Sequence, residues 1–289
     1  MVLYNWYKNG VKCLNLYDET QMLLNQYGLK AKKKFGQNFL INKDIIDEII
    51  EKSEITENDV VIEIGPGLGT LTKELLKTAK KVIAVELDED MIDVLQKRFM
   101  DEKLELVNDD ILKVDISEFT KKYGPVKVVA NLPYYITTPI VMKLLESGYD
   151  ITSITVMVQK EVGERICSTS KDRENSAITI SVNYYANARI IIDVPKENFL
   201  PSPEVDSVVI KLDILKNPPV SLVNKAKFFA LVKSAFSQRR KTINNSLASG
   251  GYDKKKIKEV LAKLGLDPKL RAEDLSIQDY ANISNELEK

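Results

Sequence analysis

The sequence predicts an α/β protein with a doubly wound parallel sheet, followed by a small all-helical C-terminal domain. Apolar, β-branched runs recur at Val60 to Ile64, Lys81 to Glu86, Leu104 to Val107, Val126 to Ala130 and Ile154 to Val158. Between several of them lie segments of helical periodicity, such as Leu71 to Thr78 and Met91 to Phe99. Strand and helix in alternation imply a parallel sheet covered on both faces. From about Asn217 the strand signals stop, and "KAKFFALVKSAFSQRRKTINNSLAS" and "DKKKIKEVLAKLGL" read as helices.

Three segments follow: an N-terminal extension over 1–31, an α/β domain over 32–215 and a helical domain over 216–289. The prolines of "KNPPV" continue neither kind of element, which makes that stretch the expected linker. Ile178 to Tyr185, Arg189 to Val194 and Ser207 to Leu212 succeed one another without an evident helix, so antiparallel strands are expected to close one edge.

With 289 residues, 44% of them apolar, the chain can bury a proper core. Lys plus Arg and Asp plus Glu number 42 each, so any polyanionic partner must be met by local clusters. There is no histidine, which excludes Ser-His-Asp and Cys-His nucleophiles and histidine-containing zinc sites. No metal is expected. Cys13 and Cys167 fit no metal or redox spacing, and no apolar run approaches the roughly 20 residues of a membrane span. A cytoplasmic protein with no membrane partner is expected.

The stretch "EIGPGLGTL" puts Gly65, Gly67 and Gly69 where a strand turns into a helix, so backbone can pass close to a ligand. Glu86 ends the next strand 21 positions after Gly65, where doubly wound sheets carry the acid that accepts from ribose hydroxyls. A nucleoside-containing cofactor is expected. A dinucleotide fits less well, because the pyrophosphate fingerprint wants its third glycine at Thr70. Asp109 and Asp110 follow the third strand, where a carboxylate accepts from an adenine amine or simply caps a turn.

The fourth strand ends in "NLPYY". The side-chain oxygen of Asn131 can accept an N–H, and Pro133 holds Leu132 extended so that its carbonyl can lie beside that oxygen. Tyr134 offers a flat face. Two acceptors beside an aromatic plate describe a site for an exocyclic base amine; a strand-ending Asn-x-Pro turn with core tyrosines is the competing reading.

Together with "KKKFGQNFL", "EIGPGLG", "VQKEVGERI", "NFLPSPEVDSVVIKL" and "AFSQRRKTINNSL", this motif resembles the ribosomal RNA adenine dimethyltransferase family, in order from about Lys32 to the C-terminus. The resemblance implies a Rossmann-like, S-adenosyl-L-methionine-dependent enzyme that makes N6,N6-dimethyladenosine at two adjacent positions near the 3′ end of small-subunit rRNA. Its partner would be the immature 30S particle, engaged as a monomer. By motif match, Asn38, Leu40, Gly65, Glu86, Asp110 and Asn131 would touch the cofactor. Asn131, Leu132, Pro133 and Tyr134 would hold the adenine, and Phe199 would cover its other face, with core filling the alternative for Phe199. Two departures concern loops: Ser176 and Ala177 replace a usual Tyr-Gly, and Leu200-Pro201-Ser202-Pro203 a common triple proline.

The reaction displaces a sulfonium methyl, which needs alignment and a polarised N6 rather than a strong base, and so suits a chain without histidine. Local basic clusters, Lys32, Lys33 and Lys34 and then Arg239, Arg240 and Lys241, are expected to grip RNA. Competing functions are a large-subunit rRNA methyltransferase of the macrolide-resistance type, whose sequences usually carry isoleucine at the Leu132 position, a DNA adenine methyltransferase, and an assembly factor in which methylation is secondary.

Overall fold

The computed structural model describes residues 15–170, 172–238 and 240–289. The expected extension is thus described from Asn15 onward, and Cys13 and Arg239 lie outside the described residues. Among those described, no helix is long and apolar enough to cross a membrane.

The residues group into two compact units. The first runs to Lys160 and resumes over Ile191–Lys211. The second comprises Glu161–Ile190 and Leu212–Lys289. The chain therefore changes units three times instead of once near "KNPPV".

The first unit begins with helix α1 (Leu16–Gln26), whose N-cap Asn15 accepts the Asp18 N–H at 2.8 Å. Strand β1 (Phe39–Leu40) and α2 (Lys43–Lys52) follow. The parallel strands are β2 (Val60–Ile64), β3 (Lys81–Glu86), β4 (Leu104–Asn108), β5 (Val126–Asn131) and β6 (Ile151–Gln159). They alternate with α3 (Thr70–Thr78), α4 (Glu89–Arg98), α5 (Ser117–Tyr123) and α6 (Thr137–Glu146). Every residue of β2 is buried, as a central strand covered on both faces requires.

Helix α7 (Lys160–Cys167), α8 (Ala177–Tyr185), β7 (Ala186–Val194), β8 (Phe199–Leu200) and β9 (Ser207–Ile214) complete the elements before the C-terminal helices. The seven-stranded sheet has the order β4-β3-β2-β5-β6-β9-β7. In β2, Ile62 is opposite Ile83 of β3 and Val128 of β5. Because β3 and β4 lie on one side of β2 and β5 and β6 on the other, the strand order reverses there. The carboxyl ends of β2 and β5 thus open onto the crevice where such sheets bind ligands. A second, two-stranded sheet pairs β1 with β8 antiparallel, Leu40 opposite Phe199.

One expected strand is a helix. Ile178 to Tyr185 reads as β-branched strand, yet it forms α8. The Thr179 hydroxyl receives the Ser176 N–H at 3.0 Å and holds the helix start, and Ile180 and Tyr184 pack with Phe228, Leu231 and Val232. Packing of one apolar face outweighs local strand propensity here.

In the second unit α9 (Lys225–Ala235), α10 (Ile243–Ser249), α11 (Lys254–Lys263) and α12 (Ile277–Leu287) share that core, with Phe228 and Tyr280 fully buried. Asn175 ties the loop before α8 to it, donating to the Glu273 and Leu275 carbonyls at 2.8 and 3.3 Å.

Candidate active site

A cleft opens at the carboxyl ends of β2, β3 and β5, lined by Gly65, Gly67, Glu86, Asn131, Pro133 and Tyr134 among others. The turn after β2 is left-handed at three glycines, Gly65 (φ +68°), Gly67 (φ +55°) and Gly69 (φ +81°). Gly69 needs its missing side chain as well: a Cβ there would sit 2.5 Å from the Phe99 ring and 2.8 Å from Leu95. Gly69 also caps the start of α3, which explains why this chain carries glycine one position before the dinucleotide spacing.

Glu86 is 8% exposed, and its two oxygens accept from the backbone N–H groups of Gly67 (3.1 Å) and Asp88 (2.9 Å). Burial pushes its carboxyl above the ordinary range, while those donors favour the charged form. Glu63, one strand over, was not singled out as a site residue. It is fully buried in β2, lines the cleft and accepts the Thr72 hydroxyl at 2.6 Å. Burial pushes its pKa up to about 8, helped by the neighbouring Glu86 charge. A carboxylate inside the apolar run "VVIEI" was the available signal.

The "FGQNFL" segment crosses this opening. Gln37 donates to Asp88 at 2.8 Å and accepts the Lys32 N–H at 2.9 Å. Asn38 lines the cleft, and its carbonyl accepts from the Asn131 side-chain amide at 3.0 Å. That bond orients Asn131, leaving the amide oxygen as its remaining acceptor. Leu40 is buried and contributes apolar lining.

Leu132 is 1% exposed, and its N–H bonds the Met157 carbonyl at 3.2 Å. Tyr134 lines the cleft with its hydroxyl 2.7 Å from that of Ser207. Tyr135 faces solvent, 62% exposed.

Two expected residues are not among those lining the cleft. Asp110 accepts the Leu112 N–H at 2.9 Å, a turn-capping bond, and Asp109 is exposed. Phe199 is 3% exposed in β8, packed in the core with Ile192, Val194 and Val209.

The basic clusters differ in kind. The Lys32 ammonium lies 2.6 Å from both Asp88 and Asp90. Lys34 is exposed, its ammonium 4.5 Å from the Phe35 ring centre; the side chain of Lys33, like Arg239, is outside the described residues. In the second unit Arg240 and Lys241 are exposed in the turn between α9 and α10.

These residues suit a nucleoside-type cofactor. A Cβ on Gly65 would stand 3.8 Å from the Asn131 backbone carbonyl, an ordinary contact, so it is the left-handed backbone (φ +68°) that calls for glycine at the mouth between the two strand ends. Glu86 supplies acceptors beside it and Leu40, Leu71 and Met157 apolar surface.

Comparison with known proteins gives the chain's relatives. The family described as "Ribosomal RNA adenine dimethylase" matches residues 28–289. The chain is 45% identical to a "Ribosomal RNA small subunit methyltransferase A" of Clostridium botulinum over 267 residues, covering 92% of this chain and 97% of that protein. It is likewise 45% identical to the protein of that name in Clostridioides difficile, covering 94% and 96%. A dimethyladenosine transferase from Plasmodium falciparum superposes with a TM-score of 0.71 at 28% identity, over 84% of this chain and 94% of that one. The 23S rRNA methyltransferase ErmE, at 23% identity and a TM-score of 0.65, shares the fold. This chain belongs to the ribosomal RNA adenine dimethylase family.

Proposed function

We propose that this chain is an S-adenosyl-L-methionine-dependent rRNA adenine N6,N6-dimethyltransferase of the small subunit. The observation that carries the reading is the meeting of "NLPY" with the glycine turn and Glu86 in one cleft. The small-subunit substrate rests on relatives 45% identical over nearly their whole length. The finer substrate, two adjacent adenosines near the 3′ end of rRNA in the immature 30S particle, is part of the same proposal, as are a monomeric, cytoplasmic enzyme and the residue roles that follow.

When bound, the cofactor supplies an electrophilic methyl on a sulfonium whose departure as a thioether needs no acid. Glu86 would accept from its ribose hydroxyls, and Gly65, Asn38 and Leu40 would complete its surroundings, whereas Asp110, held in its turn-capping bond outside the cleft lining, would join them only by turning toward the cleft. The adenine N6 lone pair is delocalised into the ring. Accepting its N–H at the Asn131 side-chain oxygen and the Leu132 carbonyl favours a more tetrahedral, nucleophilic nitrogen. Tyr134 stacks on the base, offsetting roughly 1–3 kcal/mol of the cost of extracting it. Phe199 would cover the other face only by leaving its core position. As the N6–methyl bond forms the methyl–sulfur bond breaks, and the N6 that has become cationic then loses one of its own N–H protons to water.

The test is transfer of labelled methyl to immature small subunits, large subunits and duplex DNA, followed by mass spectrometry of the digested RNA. Dimethyladenosine at two neighbouring positions of the small subunit is expected. Monomethyladenosine alone, or label confined to large subunits or DNA, refutes the reading.

A further inference from the structure

Helix α1 precedes residues 28–289, the span the family model matches, although the alignment with the Clostridioides difficile relative, covering 94% of this chain, reaches into it. Its side chains nevertheless reach the glycine turn. Leu23 packs with Phe39, Leu68, Met91 and Val94, and Leu68 is the residue between Gly67 and Gly69. Glu19 receives one arm of the Arg98 guanidinium at 2.6 Å, and the other arm donates to the Leu68 carbonyl. Glu19 also lies 3.6 Å from the Lys73 ammonium of α3. The Arg98 side chain is 5% exposed and that of Glu19 19%.

Three consecutive residues of the turn are thus each held by a different device. The Gly67 N–H is held by Glu86, the Leu68 carbonyl by Arg98, and Gly69 by the Phe99 ring packed where a side chain would be. Of these, the second depends on a partner in α1, the Glu19 carboxylate that holds Arg98. A buried guanidinium stripped of its carboxylate leaves an uncompensated charge, which drives it toward water and away from the carbonyl it holds.

We propose that α1 is a brace of the cofactor site, with Glu19 and Arg98 as positioning residues that hold the glycine turn in its binding conformation. The inference rests on the reading of this cleft as the S-adenosyl-L-methionine site. Neither residue lines the cleft, so the effect passes through the Leu68 carbonyl and belongs to cofactor affinity. Linkage makes it reciprocal: if the brace favours binding, bound cofactor must steady α1 by the same factor.

The experiment is calorimetry of S-adenosyl-L-methionine with the wild-type, Glu19→Gln, Arg98→Lys and doubly substituted proteins, together with hydrogen exchange of the wild type with and without cofactor. Arg98→Lys keeps the charge but cannot bridge two acceptors in a fork. Each single variant should weaken cofactor binding about tenfold and the double variant no further, the mark of one shared device. The KM for cofactor should rise while kcat and RNA affinity stay put. In the wild type, cofactor should slow exchange at the amides of Leu16–Gln26. Unchanged affinity in a folded variant overturns the proposal, and so does α1 exchange indifferent to cofactor, which needs no variant to fold. A wild-type protein that binds no S-adenosyl-L-methionine would instead overturn the reading of the cleft.

Discussion

The cleft of the first unit and the basic turn of the second use polar residues in opposite ways. In the cleft, Glu86 and Asn131 come from separate strands, are largely withdrawn from water, and each has named partners at hydrogen-bond distance. In the turn, Arg240 and Lys241 are neighbours in sequence and stand in solvent. Chemistry needs groups fixed in place; phosphate contact needs charge that is presented and mobile. Lys32 teaches that the distinction cannot be read from residue type. It belongs to a basic run, yet Asp88 and Asp90 hold it, and both pairings raise its pKa above the ordinary lysine value.

The proposed division of labour can be broken by substitution. The largest effect expected concerns Glu63. Its folded pKa of about 8 exceeds the unfolded 4.5, so the fold binds that proton more tightly than the unfolded chain does. The resulting stability is complete below pH 4.5 and is lost as pH rises toward 8. Glu63→Gln should remove that loss, so that the variant gains on the wild type by up to about 5 kcal/mol between pH 4.5 and 8. Melting curves across that range decide it; parallel curves would show Glu63 ionised at neutral pH. Asn131→Ala should lower the single-turnover rate roughly 10²–10³-fold with RNA affinity nearly unchanged. A near-normal rate would detach Asn131 from the reacting amine.

Glu86→Ala should weaken cofactor binding by about 10–100-fold, the loss of hydrogen bonds to a charged acceptor. Calorimetry measures it, and a folded variant with unaltered affinity would break the assignment. Replacing Arg240 and Lys241 with Glu should weaken RNA binding about tenfold or more and reduce the salt slope by roughly 2, leaving the cofactor constant untouched. An unaltered slope would make them ordinary surface charge. The smallest effect sharpens the contrast: Lys32→Met should change the RNA salt slope by less than about 0.5 while costing stability of roughly 1 kcal/mol, because its charge is already neutralised within the fold. A full unit of slope would return Lys32 to the RNA footprint.

Much of this was legible because the parallel strands are continuous apolar runs and the glycine turn sits at a fixed place between strand and helix. Gly65, Glu86 and Asn131 fall in one cleft because β2, β3 and β5 are in contact in the sheet, and the order of a doubly wound sheet follows from the alternation of elements. What was not legible depends on partners distant in sequence. The strand-like "ITISV" becomes helical because Phe228 and its neighbours reward one face. The engagement of Lys32 depends on Asp88 and Asp90, more than fifty positions away. Phe199 is drawn into the core by pairing with Leu40, and no local pattern announces a two-residue strand.

The exchanges of chain between units bear on how the protein is made. Helix α8 leaves the ribosome before α9 to α12, so Ile180 and Tyr184 must wait for Phe228, Leu231 and Tyr280 to be synthesised. The first unit is delayed as well, since Ile192, Val194 and Val209 belong to its core and appear only after α8 has emerged. Assembly in strict order from the N-terminus, the usual economy of multidomain chains, is closed to this one. Neither unit can be cut out as a single continuous piece, and a chain stopped near residue 215 would leave α8 with a bare apolar face and a tendency to aggregate.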